Sequence, residues 1–171
     1  PGHWWCSNLL DIFNPYFLYN EIKIQENTEE DICNKIQILL TDAVKKRLMT
    51  EREIGCLLSG GLDSSLIWDL VNKYYEGPKL NTFSIGLAGS IDLEYAKDVA
   101  TYLESKHHHV EVSQNEFLNA IETVNYNIES YDTSTVRASV GNYLISRYIA
   151  NIQIVRWILT EIAAKRFVVV M

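Results

Sequence analysis

Residues Ser59-Gly60-Gly61-Leu62-Asp63-Ser64-Ser65 lie between a short apolar run, Ile54 to Leu58, and a helical pattern carrying Leu66, Ile67, Leu70, Val71 and Tyr74 that Gly77-Pro78 stops. Strand, glycine loop and helix in immediate succession constrain the fold more than any other feature of the chain. The same order then repeats. A second strand at about Leu80 to Ile85 leads through Gly86 and Gly89 to a helix opened by Asp92, with Leu93, Ala96, Val99, Ala100 and Leu103 on one face. A third, His108 to Val112, leads to a helix opened by a capping box, Ser113 with Glu116. Asp132 to Thr135 precedes a further helical pattern of Val136, Val140, Leu144 and Tyr148, and Ile152 to Val155 reads as a fourth strand. This alternation predicts an α/β fold with a doubly wound parallel sheet covered on both faces, whose ligands sit beyond the carboxyl ends of the strands.

The flanks are less regular. Residues 1–27 hold Trp4, Trp5, Phe13, Tyr16, Phe17 and Tyr19 without periodicity, as in a linker or arm lying on another surface, and the chain opens on Pro1. Thr28 followed by Glu29, Glu30 and Asp31 marks a helix start, and Ile32, Ile36, Leu39, Ala43 and Leu48 extend an amphipathic helix to about Thr50. Residues 156–171 read as a divergent tail, first helical and then an apolar strand, Phe167 to Val170.

Fifteen Lys and Arg against twenty-two Asp and Glu leave a net charge of −7, and no basic cluster exceeds Lys45-Lys46-Arg47. A general nucleic-acid or membrane-surface binder is not expected, so any phosphate is held locally. No run reaches the ~18 to 20 apolar residues of a membrane span, and three cysteines without a CxxC pair fit a cytoplasmic, reducing setting.

The loop suits pyrophosphate. Glycines let the backbone approach an anion, while the N–H groups of the helix start and the hydroxyls of Ser59, Ser64 and Ser65 can donate to phosphate oxygens. Asp63 would repel phosphate unless a cation lay between them, which points to Mg²⁺ held directly or through water. The Lys of the GxxxxGK[ST] loop is missing, so a kinase-type P-loop is excluded. The structural alternative is a tight turn in which Asp63 and Ser64 merely cap the helix.

The heptapeptide resembles the pyrophosphate loop of the ATP pyrophosphatase superfamily. Thr82-Phe83-Ser84-Ile85-Gly86-Leu87, Asp92-Leu93-Glu94-Tyr95-Ala96, His107-His108 and Glu129-Ser130-Tyr131-Asp132 with Thr135-Val136-Arg137-Ala138-Ser139 are similar, in order, to the synthetase domain of glutamine-hydrolysing asparagine synthetases. The resemblance implies a Rossmann-like adenine nucleotide alpha hydrolase fold, incomplete at the C-terminus. It implies ATP bound at Leu57, Leu58 and the loop Ser59, Gly60, Gly61, Asp63, Ser64 and Ser65, with the backbone of Ile85 at the adenine and Mg²⁺ at Asp63. It further implies that Ser134, Thr135 and Arg137 assist adenylation of aspartate, which ammonia, from solution or from glutamine, would convert to asparagine. Ser134 stands where the family usually has Thr, and Arg137 could equally be a surface salt-bridge partner. The parent enzyme would be a possible homodimer.

The family's glutaminase half uses an N-terminal cysteine, and its next strand leads to a second glycine-rich loop, Ser-Gly-Glu-Gly. Here the first residue is Pro1, and Val155 is followed by Arg156-Trp157-Ile158-Leu159 with Gly141 the last glycine. The resemblance therefore implies 1–27 as the arm from a glutaminase domain, 28–155 as a partial synthetase domain, and weak or no turnover by the chain alone. Two other readings are a non-catalytic nucleotide-binding module and another adenylating enzyme such as an NAD synthetase. For His107, His108 and His109, alternation on a strand turns the middle ring away from its neighbours, which argues against zinc and for a surface or interstrand role. Cys56, inside the first strand, is expected to be a small buried apolar residue.

Overall fold

A computed structural model describes residues 2–6, 13–16 and 27–160, and the backbone of 169–170. Phe17, Tyr19 and residues 161–168 of the tail lie outside the described residues; where the tail is described after Arg156, Trp157–Leu159 is a strand and not the expected helix, because it pairs in the sheet. The chain divides into two units, Pro1–Ile38 and Leu39–Met171. In the first, strand β1 (His3–Trp4) pairs antiparallel with β2 (Asn14–Pro15).

Helix α1 (Glu29–Arg47) spans the division, with three acidic residues in its first turn and Lys45, Lys46 and Arg47 in its last, each set opposing the helix dipole. Its start is a reciprocal cap. Thr28 Oγ1 accepts from the Asp31 amide at 3.2 Å, and Asp31 Oδ2 accepts from the Thr28 amide at 3.2 Å. The amphipathic expectation fails along most of its length: Ile32, Ile36 and Leu39 are exposed, and its buried residue is Val44. Only the last turns reach an apolar layer, and Lys45 Nζ lies 4.2 Å from the Tyr74 ring centroid.

In the second unit β3 (Ile54–Leu57), α2 (Leu62–Tyr74), β4 (Asn81–Leu87), α3 (Ile91–Tyr102), β5 (Lys106–Val112), α4 (Gln114–Ile128), α5 (Thr133–Ile152), β6 (Trp157–Leu159) and β7 (Val169–Val170) follow in order. The sheet order is β5-β4-β3-β6-β7. β3 pairs in parallel with β4 and with β6, and β4 with β5; β7 is antiparallel to β6. Successive residues of β3 serve opposite faces. Ile54 and Cys56, with Leu58 just after the strand, pack with Trp68 and Val71 of α2, with Ala96 and Ala100 of α3, and with Leu103 at that helix's end. On the other face Phe83, Val110, Val112 and Ile158 pack with Val124 of α4 and Val140, Leu144, Ile145 and Ile149 of α5. The doubly wound parallel sheet expected from the alternation is the architecture observed.

Burial raises the Cys56 thiol far above its ordinary pKa, so it is inert packing, as expected from its strand. Gly55 has a steric reason: a Cβ there would lie 2.8 Å from Ile158 Cδ1, Phe83 Cε2 and Val155 Cγ2.

The fourth strand differs from expectation. Ile152 to Val155 is not a strand, because α5 runs on through Ile152 and Gln153 ends it in the left-handed conformation, φ 49°, its amide donating to Ile149 O. The strand forms instead at Trp157–Leu159, just beyond the apolar β-branched run that suggested it. Gln153 bears the Cβ penalty that glycine avoids at this position. Gln153→Gly is expected to stabilise the domain by about 0.5–1 kcal/mol, after allowing for glycine's larger unfolded-state entropy. Chemical denaturation checks this; unchanged or lower stability would contradict it.

Candidate nucleotide site

The strand order reverses at β3: β4 and β5 lie to one side and β6 to the other. In open parallel sheets such a reversal opens a crevice at the carboxyl ends of the strands. A cavity of about 210 Å³ occupies that place, lined by Leu57, Leu58, Ser59, Phe83, Ser84, Ile85, Asn142, Ile145 and Thr160. Four of the residues expected from sequence, Leu57, Leu58, Ser59 and Ile85, are thereby brought together. Phe83 and Ser84 come with them from β4, and α5 adds Asn142 and Ile145.

Two long-range hydrogen bonds hold the end of β3. The Leu58 amide donates to Phe83 O at 2.8 Å, and Trp68 Nε1 donates to Leu57 O at 2.7 Å. The helical pattern of α2 puts Leu66 on the buried face and gives Trp68 no role. The buried positions are Ser64, Trp68 and Val71, and Leu66 is 49% exposed.

The loop turns at Gly60, whose φ of +76° lies in the left-handed region. A Cβ there would stand 2.7 Å from both Ala96 N and Tyr95 Cβ, so the loop runs against the backbone of α3. Gly61 precedes α2 without a side-chain cap, leaving the amides of the first turn facing outward as a helix N-terminus does for an anion.

The serine hydroxyls are engaged within the loop. Ser64 Oγ donates to Gly61 O at 3.0 Å and Ser65 Oγ to the same oxygen at 2.7 Å. Ser64's one proton is thus used, so in the 2.9 Å contact between Ser59 Oγ and Ser64 Oγ it is Ser59 that donates. Ser64 is 1% exposed and its hydroxyl bonds back to the Gly61 carbonyl, so it is not the cap of α2 that the structural alternative made it. Ser59 and Asp63 are exposed, Asp63 in the first turn of α2. Among the described residues no group of three or more His, Cys, Asp or Glu is arranged to hold a metal ion.

Ser134, Thr135 and Arg137 are exposed in the first turns of α5 and do not line the cavity. At 1.5 Å rise per residue, Arg137 is about 7.5 Å along the axis from Asn142 and about 12 Å from Ile145. Thr135 instead serves the helix cap: Asp132 is the N-cap, and the Thr135 amide and hydroxyl both donate to its Oδ2 at 2.7 Å. These bonds hold the Asp132 carboxyl below its ordinary pKa. The cap's contribution to stability is therefore present above the unfolded value and lost as pH falls through the folded one.

The family model for asparagine synthase matches residues 35–162. The chain belongs to the asparagine synthase family. Among curated relatives it is 49% identical over 124 residues to the glutamine-hydrolysing asparagine synthetase of Mus musculus, an alignment covering 70% of this chain and 22% of that protein. The corresponding enzyme of Gallus gallus is 46% identical over the same length and the same shares. The chain thus spans 22% of the length of the relatives it matches. Among solved structures, the U34-tRNA thiolase NcsA of Methanococcus maripaludis superposes with a TM-score of 0.56 at 12% identity, covering 75% of this chain and 46% of that one. That likeness is one of fold. Among the described residues of this family member, no helix is long and apolar enough to cross a membrane.

Proposed function

We propose that this chain carries the ATP-binding part of an asparagine-forming ligase site. The observation behind the reading is the cavity at the strand-order reversal, bounded by Leu57, Leu58, Ser59 and Ile85 and continuous in sequence with the uncapped start of α2. An apolar cleft with a few hydroxyls suits an adenosine, with the backbone of Ile85 at the base. Gly60, Gly61, Ser64 and Ser65 shape the turn that presents the first-turn amides of α2 to phosphates. One exposed carboxylate matches the demand of Mg²⁺, which takes one or two carboxylates together with substrate phosphates, so Asp63 would hold it. Bound there, the ion would neutralise phosphate charge.

In the proposed reaction a side-chain carboxylate oxygen of aspartate attacks the α-phosphorus of ATP. The bond from that phosphorus to the bridging oxygen breaks, and pyrophosphate leaves with the electron pair. Ammonia, supplied as such or from glutamine, then attacks the acyl carbon, AMP leaves, and a proton passes to solvent. Arg137, with Ser134 and Thr135 beside it, would stabilise the negative charge on the α-phosphate, provided the start of α5 closes toward the cavity. Residues 28–155 form the body of this domain in our reading, with 1–27 as an arm and 156–171 as a tail whose first residues supply β6.

The distance of Arg137 from the cavity lining favours a second reading, in which the chain alone binds nucleotide without turning it over. Incubation with ATP, Mg²⁺, aspartate and ammonia, with pyrophosphate release and nucleotide binding measured side by side and Asp63→Ala as control, separates the two. Aspartate-dependent pyrophosphate that the control abolishes supports the ligase, whereas binding alone supports the second reading. Absence of both removes the nucleotide site.

A further inference from the structure

On the face of β4 toward α3, two buried hydroxyls stand in a row, Thr82 at 0% and Ser84 at 5% exposure. His107 of β5 bridges them, with Nδ1 3.0 Å from Thr82 Oγ1 and Nε2 3.0 Å from Ser84 Oγ. Thr82 Oγ1 is also 2.7 Å from Ser105 Oγ, and Ser105 Oγ donates to Ala100 O at 3.2 Å. Each hydroxyl has one proton, so with Ser105 donating to Ala100 O the other directions follow in turn. Ser105 spends its proton on the carbonyl and so accepts from Thr82. Thr82 in turn accepts from His107, which requires Nδ1–H. The remaining ring nitrogen, Nε2, takes the proton of Ser84. A single neutral tautomer satisfies the whole chain of bonds.

Charging this ring is opposed from several sides. Burial is the largest cause, followed by His109 and His108 on its own strand and Lys97 from α3, and together they lower its pKa. Lys79, between α2 and β4, and Glu104, after α3, share with Lys97, His107 and His109 the rim of a groove of about 730 Å³. The other two histidines of β5 are committed elsewhere. His108 stacks on Phe83 with centroids 4.7 Å apart, and His109 Nε2 is 3.0 Å from Glu111 Oε1.

Ser84 is common to this network and to the lining of the nucleotide cavity, and Phe83 and Ile85 on either side line it too. We propose that His107, as the neutral Nδ1–H tautomer, is a positioning residue for that cavity, tying Thr82 and Ser84 to β5 so that Phe83, Ser84 and Ile85 keep the cavity's shape. The proposal rests on the nucleotide reading above. A second proton would sit on Nε2, pointing at the Ser84 hydroxyl; Ser84 would have to turn its own proton into a buried site, and the bridge would loosen. Because the neutral form is the one the folded state favours, the contribution of His107 to stability is complete above about 6.5, the ordinary histidine value, and is lost as pH falls through the lower folded one.

The test uses the full chain. ¹⁵N shifts of the His107 ring are recorded without nucleotide, and binding of ATP with Mg²⁺ is titrated from pH 8 to pH 5 for the unaltered chain, His107→Gln and His107→Phe, folding being checked by circular dichroism. The expected results are Nδ1–H at pH 7 and affinity falling with pH. His107→Gln, which keeps an amide acceptor and donor but cannot be charged, should bind well at pH 8 and lose only the acid fall that exceeds ATP's own protonation. His107→Phe should fold and bind about 3- to 10-fold more weakly at pH 8, the size expected for losing a bridging bond. A protonated or Nε2–H ring at pH 7, or His107→Phe binding as tightly as the unaltered chain, overturns the role of His107 alone. No ATP binding at pH 8 with the Nδ1–H ring intact overturns the nucleotide reading, and this role with it.

Discussion

Trp68→Ala is expected to cost about 3–5 kcal/mol of unfolding free energy, roughly a fifth or more of the ~5–15 kcal/mol that folded domains commonly possess. The indole is 1% exposed, in the layer formed by Ile54 and Cys56 of β3, Leu58 just after it, Ala96 and Ala100 of α3, and Leu103 at that helix's end. Small alanines around it mean that the neighbours cannot reach across the space it leaves, so the cavity term adds to the lost transfer energy. Trp68→Phe separates packing from hydrogen bonding. It keeps a ring but removes the donor to Leu57 O, at an expected cost of about 1–3 kcal/mol. Urea denaturation of the three proteins should rank them unaltered, Phe, Ala. A loss below about 1 kcal/mol for Trp68→Ala would contradict the packing described. Since Leu57 also lines the nucleotide cavity, Trp68→Phe should weaken ATP binding even at temperatures where the protein is fully folded.

Gly60→Ala is expected to lower ATP affinity by at least about tenfold, equivalent to about 1.4 kcal/mol. Two effects combine. The φ of +76° costs a residue with a Cβ about 1–2 kcal/mol, and the added carbon would meet the α3 backbone at Ala96 N and Tyr95 C, 2.7 and 2.9 Å away. α3 cannot retreat, because Ala96 and Ala100 anchor it in the core, so the loop must move and carry Ser59 with it. Gly61→Ala is the control. Its φ is −72° and the nearest atom to an added Cβ is Ser59 Oγ at 3.5 Å, so stability should change by no more than about 0.5 kcal/mol. Calorimetric titration with ATP and Mg²⁺ measures both. Equal affinities for the two variants would show that the loop conformation does not govern the site.

The two glycines illustrate how far local pattern reaches. The sequence suggests that both let the backbone near an anion, yet only Gly60 is required by its own conformation, and the cause is α3, a helix distant in sequence. The serines of the loop look like open donors in the sequence, whereas in the structure they are bonded to one another and to Gly61 O. Cavity residues Asn142 and Ile145 carry no motif. They are three apart on α5 and so share a helix face, but nothing local tells which face of α5 meets the end of β3.

Local physics makes the rest legible. The capping box of Ser113 and Glu116 forms as expected, Glu116 N donating to Ser113 Oγ at 3.2 Å and Ser113 N to Glu116 Oε2 at 2.8 Å, because both partners lie within one turn. Alternation along β5 puts His108 opposite His107 and His109, and the rings obey it. The order of strands and helices, and hence the doubly wound sheet, follows from hydrophobic runs and turn residues that act over a few positions. The exposed row of Ile32, Ile36 and Leu39, the burial of Trp68 in place of Leu66, the extension of α5 through Ile152 and the proton order of the His107 network do not. Each depends on which surfaces meet after the chain has closed on itself, and that choice is made by contacts between residues distant in sequence. The sequence by itself determined the kind of layers and the loop between them; the tertiary structure alone decided which side chains those layers bury and which residues complete the cavity.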